Sequence, residues 1–397
     1  MTPSLSQEFL LAAACSGWPP SDRRSEAIRE AARGPLDWDR FLRVAIRHRV
    51  VGLVHDGLTR AGPSVPPGVA QAIGAQAAAL VRKNLALAAE GVRLQRLFAE
   101  ANVPVVFIKG APLAMLAYGN LGLRQSKDLD LLVPAESTPA ATALVERAGY
   151  RRFDPPAGIS KAQLQLLTRM RRDFGYVHEE SQVEIELHWR LFGNPYFMAE
   201  TSLIASSRIV PLTGAIGMRT LADEDLFPYL CAHGALHWWY QLKWLADVGA
   251  LLAGASTDGV ERLYGAAEAR GVGRAAALAL LLCQRLLRTT VPDHLIATLR
   301  ESATLRWLEA TALKAMTAGN SEIEPRDISF GTTRGNLSCF LLSRSWRYWL
   351  AELTGHATCE TDVLTLLLPK QLRFLYPILR VPLWLWRHSS HRIRSLR

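Results

Sequence analysis

The amino-acid sequence predicts an α+β protein in which a small mixed β-sheet lies between two large helical regions. The composition is rich in Ala, Leu and Arg, of which Ala and Leu in particular favour helix. Apolar residues recur at helical spacing before residue 101 and again after residue 221, whereas short β-branched and alternating runs between residues 103 and 189 predict strands. We therefore expect a helical N-terminal region (1–101), an α/β core (102–215) and a helical C-terminal region with a basic tail (216–397).

The N-terminal region is predicted to form helices over residues 6–14, 36–61 and 68–101, with a Pro- and Gly-containing loop at 62–67. In the central region we expect five strands, at 103–108, 128–133, 150–153, 174–179 and 182–189. Helices at 112–118, 137–148 and 160–172 are predicted between them. The C-terminal region is predicted to be helical from residue 221, with a polar loop at 319–337.

Composition and charge narrow the class of protein. With 397 residues, 49% hydrophobic and 21% charged, the chain can bury a sizeable core and is not disordered as a whole. The net charge of +10 makes an anionic partner plausible, although much of this charge lies near the C-terminus, so no firm nucleic-acid partner is predicted. We expect a cytoplasmic protein, because no signal peptide or spanning segment is evident and the cysteines are far apart: Cys15, Cys231, Cys283, Cys339 and Cys359.

The most informative motif is Asp128-Leu129-Asp130, inside an apolar run that reads as a buried strand. Alternate residues of a strand point to the same face, so both carboxylates leave the sheet together. Like charges this close resist joint ionisation, and a divalent cation on a nucleotide's phosphates is the usual remedy. The alternative is a strand end where one Asp caps the next turn and the other meets an Arg. The motif indicates metal-dependent phosphoryl or nucleotidyl transfer.

Two basic features precede the acids. Lys109-Gly110 stands between a predicted strand and a helix, where Gly allows close approach of the backbone to a phosphate and the helix N-terminus presents amides. Arg124 lies in the loop before the acids and is predicted to steady a phosphate or pair with an Asp of the site; it could equally be an ordinary loop arginine.

A third carboxylate from another strand would complete the set of ligands or deprotonate an attacking hydroxyl. Glu184 and Glu186 both lie on the polar face of the last predicted strand, and spacing alone does not choose between them. His188 shares that face and could contact a phosphate or acceptor, although a structural role is the simpler interpretation.

His233 and His237 are four residues apart on one predicted helix, at metal-ligand spacing, but no Glu lies between them as in zinc proteases. Packing or contact with an acceptor fits them better than a dedicated metal site. Lys243 and Asp247 are most simply an i,i+4 ion pair.

The tail over residues 370–397 interleaves aromatic residues with arginines. It could contact an anionic membrane or a protein partner. Because Pro377 and Pro382 are expected to interrupt any single helix, docking onto the protein's own helices is the other interpretation.

Taken in order, these motifs resemble those of a bacterial family of uncharacterised nucleotidyltransferases, a branch of the polymerase-β-like superfamily. The residues that carry the resemblance are Lys109-Gly110, Arg124, Asp128-Leu129-Asp130, the run from Glu186 to Leu191 and the stretch from Leu226 to Asp247. The resemblance implies that Asp128 and Asp130 are the paired metal-binding acids and that Glu186, not Glu184, is the third. It also implies that Lys109-Gly110 replaces the Gly-Ser or Gly-Gly turn that holds the triphosphate in the wider superfamily.

The implied function is Mg²⁺- (or Mn²⁺-) dependent transfer of an NMP from an NTP, with ATP expected, to an unidentified acceptor hydroxyl. In this scheme Lys109, Gly110 and Arg124 contact phosphates, and the helices after residue 221 form the acceptor side with Glu184, His188, His233 and His237 as candidates. The alternatives are a kinase that uses the same metal site and a non-catalytic nucleotide-binding or scaffold protein.

Overall fold

The computed structural model describes residues 5–198, 203–317, 332–358 and 360–394. None of the helices in these ranges is long and apolar enough to cross a lipid bilayer.

The N-terminal region is helical, as predicted. Its helices are α1 (Gln7–Ser16), α2 (Asp22–Ala32), α3 (Trp38–Arg47), α4 (Val51–Ala61) and α5 (Pro67–Glu100). The single helix predicted over 36–61 is wrong, because the chain breaks between α3 and α4 at Arg49, whose φ is 55°. The side chains of Ser6, Ser21 and Asp37 accept hydrogen bonds from the first turns of α1, α2 and α3, which fixes where each helix begins.

The central region contains a mixed five-stranded sheet, as predicted. Its strands are β1 (Val106–Phe107), β2 (Leu129–Leu132), β3 (Tyr150–Asp154), β4 (Asp173–His178) and β5 (Glu184–His188), in the spatial order β1-β2-β5-β4-β3. The β2–β5 pair is parallel and the other pairs are antiparallel. Connecting helices are α6 (Ala111–Tyr118), α7 (Thr138–Arg147) and α8 (Lys161–Met170).

A second, two-stranded sheet follows that the sequence did not predict. It is the hairpin of β6 (Arg208–Thr213) and β7 (Ile216–Thr220). Thr220 Oγ1 donates a hydrogen bond of 2.6 Å to the carbonyl of Phe107, which ties the hairpin to β1. The domain boundary expected between residues 215 and 216 falls in the turn of this hairpin.

The C-terminal region is helical, and its helices are α9 (Asp223–Leu236), α10 (Leu242–Ala253), α11 (Thr257–Ala269), α12 (Gly273–Leu287), α13 (Asp293–Glu301), α14 (Ala303–Thr317), α15 (Thr332–Phe340), α16 (Trp346–Ala357), α17 (Glu360–Thr365) and α18 (Tyr376–Arg394). Of the loop predicted at 319–337, residues 319–331 lie outside the described residues and residues 332–337 are helical, which corrects that part. The expected interruption at Pro382 is also wrong, since α18 continues through it, while Pro377 lies in its first turn.

Two hydrophobic cores organise these elements. One joins the N-terminal helices to α9, α10 and α12, so the two helical regions pack on each other across the chain. The other lies against the sheet and includes residues of α7, α8 and α17. The second core thus underlies the sheet whose strands β2 and β5 carry Asp130 and Glu186.

Candidate active site

Asp130 lies on β2, and Glu186 is opposite it on the neighbouring parallel strand β5. Because the strands are in register at this pair, both carboxylates project from the same face of the sheet. His188, two residues further along β5, shares that face. Potential ligand atoms of Asp130, Glu186 and His188 all lie within 4.8 Å of one another. The structure therefore brings together two of the predicted acids and an imidazole.

Asp128 comes immediately before β2 and is partly buried. Burial and the negative charges of Asp130 and Glu186 raise the pKa of its carboxyl, while Lys109 and Lys243 act in the opposite direction. The charges of Asp130 and Glu186 therefore act on Asp128. Asp128 is not, however, in the group of Asp130, Glu186 and His188, whose ligand atoms lie within 4.8 Å of one another. A cation between these carboxylates would relieve their repulsion.

Lys109 makes a direct ion pair with the predicted metal-binding acid. Its Nζ lies 3.1 Å from Asp130 Oδ1 and 5.9 Å from the centroid of the Tyr229 ring. Burial opposes ionisation of Asp130, but Lys109 and His188 together hold the pKa of its carboxyl well below the usual range. Gly110 follows at φ 77° and ψ −138°, a conformation that favours glycine, and it is the N-terminal cap of α6.

His188 is oriented by a third carboxylate that the sequence analysis did not identify. Its Nε2 lies 3.5 Å from Asp130 Oδ1 and 3.3 Å from Glu186 Oε2, whereas its Nδ1 lies 3.6 Å from Asp173 Oδ2. Burial alone would lower the pKa of His188, but the contacts with Asp130 and Glu186 and the charge of Asp173 raise it to about 9. Carboxylate–histidine pairs of this kind commonly orient an imidazole toward a metal.

Asp173 is held in turn by arginine. Arg172 Nε donates to Asp173 Oδ2 at 2.8 Å, and the charge of Asp173 is the main effect that raises the pKa of Arg172 against its burial. Asp173 begins β4 and is paired with His188 in the antiparallel β4–β5 ladder. Its acidic side chain next to a predicted strand was the one signal in the sequence that could have identified it.

Arg124, the predicted phosphate contact, forms a buried ion pair with Asp247 on α10. Its Nε contacts both carboxylate oxygens of Asp247, at 3.1 and 3.0 Å, with side-chain exposures of 3% and 0%. The same carboxylate accepts a hydrogen bond from Tyr118 Oη at 3.1 Å. Arg124 is therefore half of a buried ion pair with Asp247, and its role as a phosphate contact stays a prediction.

Because Asp247 pairs with Arg124, the i,i+4 ion pair predicted between Lys243 and Asp247 does not form. Lys243 Nζ donates to the carbonyl of Gln125 at 3.2 Å, and no carboxylate of the described residues lies within 4.0 Å of it. Burial, followed by the charges of Arg124 and Arg49, lowers the pKa of Lys243 to about 7. A buried lysine beside the acidic strand that lacks an anionic partner is a candidate phosphate contact, and spacing gave no indication of it.

Glu184, His233 on α9 and His237, which caps the C-terminus of α9, occupy the margins of the site. Glu184 Oε2 contacts Lys127 Nζ at 2.8 Å. The ring of His233 lies 4.8 Å from that of His237 and 5.2 Å from that of Trp244, between centroids. Burial, and then the charge of Lys109, lowers the pKa of His233 well below its usual value. The structure thus places His233 near the site cations without bringing it to the acids.

A cavity of about 950 Å³ lies apart from these residues, between α1 and α2 on one side and the end of α10 and α12 on the other. None of the candidate site residues lines it. The chemistry of the carboxylates and lysines, not the volume of a cavity, therefore locates the candidate active site.

The small mixed sheet between two large helical regions is the α+β fold expected of a nucleotidyltransferase. The family model described as "uncharacterised nucleotidyltransferase" matches residues 34–288, more than half of the chain, and the chain belongs to that family. A comparison with curated protein sequences gave no match. Family membership supports nucleotidyltransferase activity.

Proposed function

We propose that this protein is a divalent-metal-dependent nucleotidyltransferase that moves an NMP from an NTP to an acceptor hydroxyl and releases pyrophosphate. The observation that carries the proposal is the grouping of Asp130, Glu186 and His188 within 4.8 Å of one another. Buried lysines lie beside this group, at Lys109 and Lys243. Adjacent anionic and cationic groups match a ligand that contains both a divalent cation and a polyphosphate.

The residues present fit a divalent cation. Carboxylate oxygens suit Mg²⁺ or Mn²⁺, and an imidazole is a further donor for Mn²⁺. Both ring nitrogens of His188 are buried without a well-formed hydrogen bond, and Nε2 faces Asp130 and Glu186. A cation bound to Nε2 would take the place of the proton that these carboxylates now stabilise. Asp128, Asp130 and Glu186 would hold the ion, with His188 as an additional ligand oriented by Asp173. When bound, the cation would neutralise negative charge on the phosphate oxygens.

The lysines would bind the polyphosphate. Lys109 forms an ion pair with Asp130. A divalent cation that binds the Asp130 carboxylate would compete with Lys109 for it. The ammonium group of Lys109 would then be free to contact the β- and γ-phosphates. Lys243 would approach the same phosphates from α10, because its charge already acts on Asp128. The amides that follow Gly110 at the start of α6 present hydrogen-bond donors in the same region.

Glu186 is the candidate base for the acceptor hydroxyl. Its side chain is 41% exposed, against 5% for Asp130 and 2% for His188, so an acceptor can reach it most readily. A carboxylate at this position can take the hydroxyl proton as the oxygen attacks the α-phosphorus. The acceptor would then lie on the side of α9 and α10, where His233 and His237 remain candidate contacts.

The test uses ATP labelled at either the α- or the γ-phosphorus, with Mg²⁺ or Mn²⁺ and a panel of hydroxyl acceptors. Transfer of the α-label with release of pyrophosphate supports the proposal. Transfer of the γ-label would instead identify a phosphotransferase that uses the same site. Nucleotide binding with neither product across the panel would indicate a non-catalytic nucleotide-binding or scaffold role.

Variants connect the reaction to the site. Asp130→Asn and Glu186→Gln should each lower the transfer rate by at least about a hundredfold, because each removes a carboxylate that contacts the reacting groups. Glu146→Gln, an exposed acid on α7 of the same core, is the matched control and should leave the rate unchanged. Equal rates in all three variants would contradict the assignment of the site.

A further inference from the structure

The helices α16 and α18 contact each other and expose large apolar side chains on their outer sides. On α16 these are Trp346, Trp349, Leu350 and Leu353, and on the segment that leads into and along α18 they are Phe374, Ile378, Val381 and Leu385. Exposure is high, at 66% for Trp346 and 68% for Ile378. We call these residues the apolar surface of α16 and α18.

The pattern on each helix is amphipathic, with the apolar stripe turned away from the core. The α16 residues are spaced i, i+3, i+4 and i+7, and those of the second segment are spaced i, i+4, i+7 and i+11. Among the described side chains of these segments, Tyr348 and Tyr376 are buried, at 0% and 2% exposure. Both helices therefore pack on the protein through one face and present a second apolar face to solvent. Contiguous exposed apolar patches of this kind mark interaction sites.

Basic residues outnumber acidic ones around this surface, although Glu352 lies on α16 and Glu360 on the adjoining α17. From residue 363 to residue 397 the sequence contains no Asp or Glu, and its cationic residues are Lys370, Arg373, Arg380, Arg387, Arg392, Arg394 and Arg397. Arg344 and Arg347 flank the start of α16, where both are exposed. An exposed apolar stripe with Trp and Phe, bordered by arginines, matches the composition of helices that lie in a membrane interface.

Contacts of α16, and of α17, which packs on α18, join this surface to the core that carries the candidate active site. Arg171 Nη1 contacts Glu360 Oε2 at 3.1 Å, Gln163 Nε2 donates to the carbonyl of Leu364 at 3.1 Å, and Asn194 Nδ2 donates to the carbonyl of Tyr348 at 3.0 Å. Arg171 precedes the Arg172–Asp173 pair that orients His188. A partner bound to the apolar surface would therefore be held at a defined position relative to the core.

We propose that the apolar surface of α16 and α18 binds an anionic lipid membrane. Charge complementarity favours this partner, because an anionic bilayer attracts the arginines while its interface accepts the Trp, Phe and Ile side chains. A second copy of the chain would instead bring two cationic surfaces together. The proposal concerns where the protein binds and does not depend on the reaction that its active site performs.

The test measures co-sedimentation of the full-length protein with vesicles of phosphatidylcholine alone and with vesicles that contain about one third phosphatidylglycerol. Binding to the anionic vesicles should be at least about tenfold tighter and should weaken with added salt. The double variant Ile378→Glu/Leu385→Glu should lower this affinity at least about tenfold, because it places carboxylates in the apolar interface. Arg380→Glu should selectively reduce the preference for anionic vesicles.

Matched controls are Ile209→Glu, which introduces the same charge at a 61% exposed isoleucine on β6, and Arg43→Glu, at an exposed arginine on α3. Both should bind vesicles as the parent protein does. The proposal is overturned if the parent protein binds neither vesicle, or if the double variant binds as well as Ile209→Glu. It is equally overturned if light scattering shows a dimer that the double variant dissociates while vesicles do not bind. Circular dichroism verifies that each variant is folded.

Discussion

Replacing Asp247 by Asn tests whether Arg124 is a structural residue or a phosphate contact. Asp247 is fully buried, Arg124 is 3% exposed, and two contacts of 3.1 and 3.0 Å join Arg124 Nε to the carboxylate. Asp247→Asn removes the negative charge and retains an oxygen that can accept the hydrogen bond from Tyr118 Oη. The variant therefore isolates the loss of charge compensation for a buried guanidinium.

The expected cost follows from this burial. Breaking a buried ion pair by neutralising one partner typically costs about 3–5 kcal/mol, because the remaining charge is left without compensation in a medium of low polarity. In the double variant Arg124→Met/Asp247→Asn both charges are absent, so its free energy of unfolding should lie well above that predicted by adding the two single effects. We expect a coupling of at least about 2 kcal/mol.

Urea denaturation followed by circular dichroism measures these differences, and Asp223→Asn serves as the control. Asp223 is 54% exposed and pairs with the exposed Arg208, so its replacement should change the free energy of unfolding by no more than about 1 kcal/mol. Equal effects of Asp247→Asn and Asp223→Asn would refute the argument from burial. A stable double variant that no longer binds triphosphate would show that Arg124 contacts phosphate after all.

Three further predictions concern the site itself. Lys243→Met should weaken binding of inorganic triphosphate at least about tenfold without loss of stability, since it removes a buried cation. Lys83→Met, at an exposed lysine, should leave the affinity unchanged. Calorimetry measures both affinities, and equal values would exclude Lys243 as a phosphate contact. The pKa of His188 is raised to about 9 from 6.5. Its contribution to stability is therefore complete below pH 6.5 and is lost as the pH rises through about 9, so His188→Gln in EDTA should flatten the decline in stability over this range. Gly110→Ala should lower the free energy of unfolding by about 1–2 kcal/mol, because φ at this residue is 77°. Gly68→Ala, in the first turn of α5, should be neutral or stabilising. Equal effects of the two variants in thermal melts would show that backbone strain at Gly110 is not the cause.

The sequence was sufficient where the signal is local and repeats along the chain. The long helix α5 and the buried strand β2 were predicted because their apolar patterns extend over many residues. The break at Arg49 was not, since a left-handed turn at an arginine carries no Gly or Pro signal. The hairpin of β6 and β7 was also missed, because Pro211 lies inside β6 and argues against a strand.

For the site, residue spacing predicted the two aspartates but could not supply the partners that arrive from distant parts of the chain. The choice between Glu184 and Glu186 depends on the register of β5 against β2, which places Glu186 opposite Asp130. Spacing within one strand cannot reveal that register. The prediction of Glu186 rather than Glu184 therefore came from the family resemblance. Asp173 meets His188 only through the pairing of β4 with β5.

Arg124 forms an ion pair that the sequence did not indicate, for the same reason. Its partner, Asp247, lies 123 residues away on α10. The expected local pair of Asp247 with Lys243 was the simplest interpretation of i,i+4 spacing, and the tertiary fold replaced it. Lys243 instead contacts the loop before β2, and its charge acts on Asp128. The local sequence pattern could not predict this position.

The central claim is that Asp130 and Glu186 hold a divalent cation on a nucleotide, and Mn²⁺ binding in the presence of a non-hydrolysable ATP analogue tests it most directly. Electron paramagnetic resonance reports the bound Mn²⁺ without any need for turnover or a known acceptor. We predict that Asp130→Asn weakens Mn²⁺ binding at least about tenfold relative to the parent protein and to Glu146→Gln, while the fold is retained. Mn²⁺ bound equally well by Asp130→Asn and by the parent protein would contradict the account.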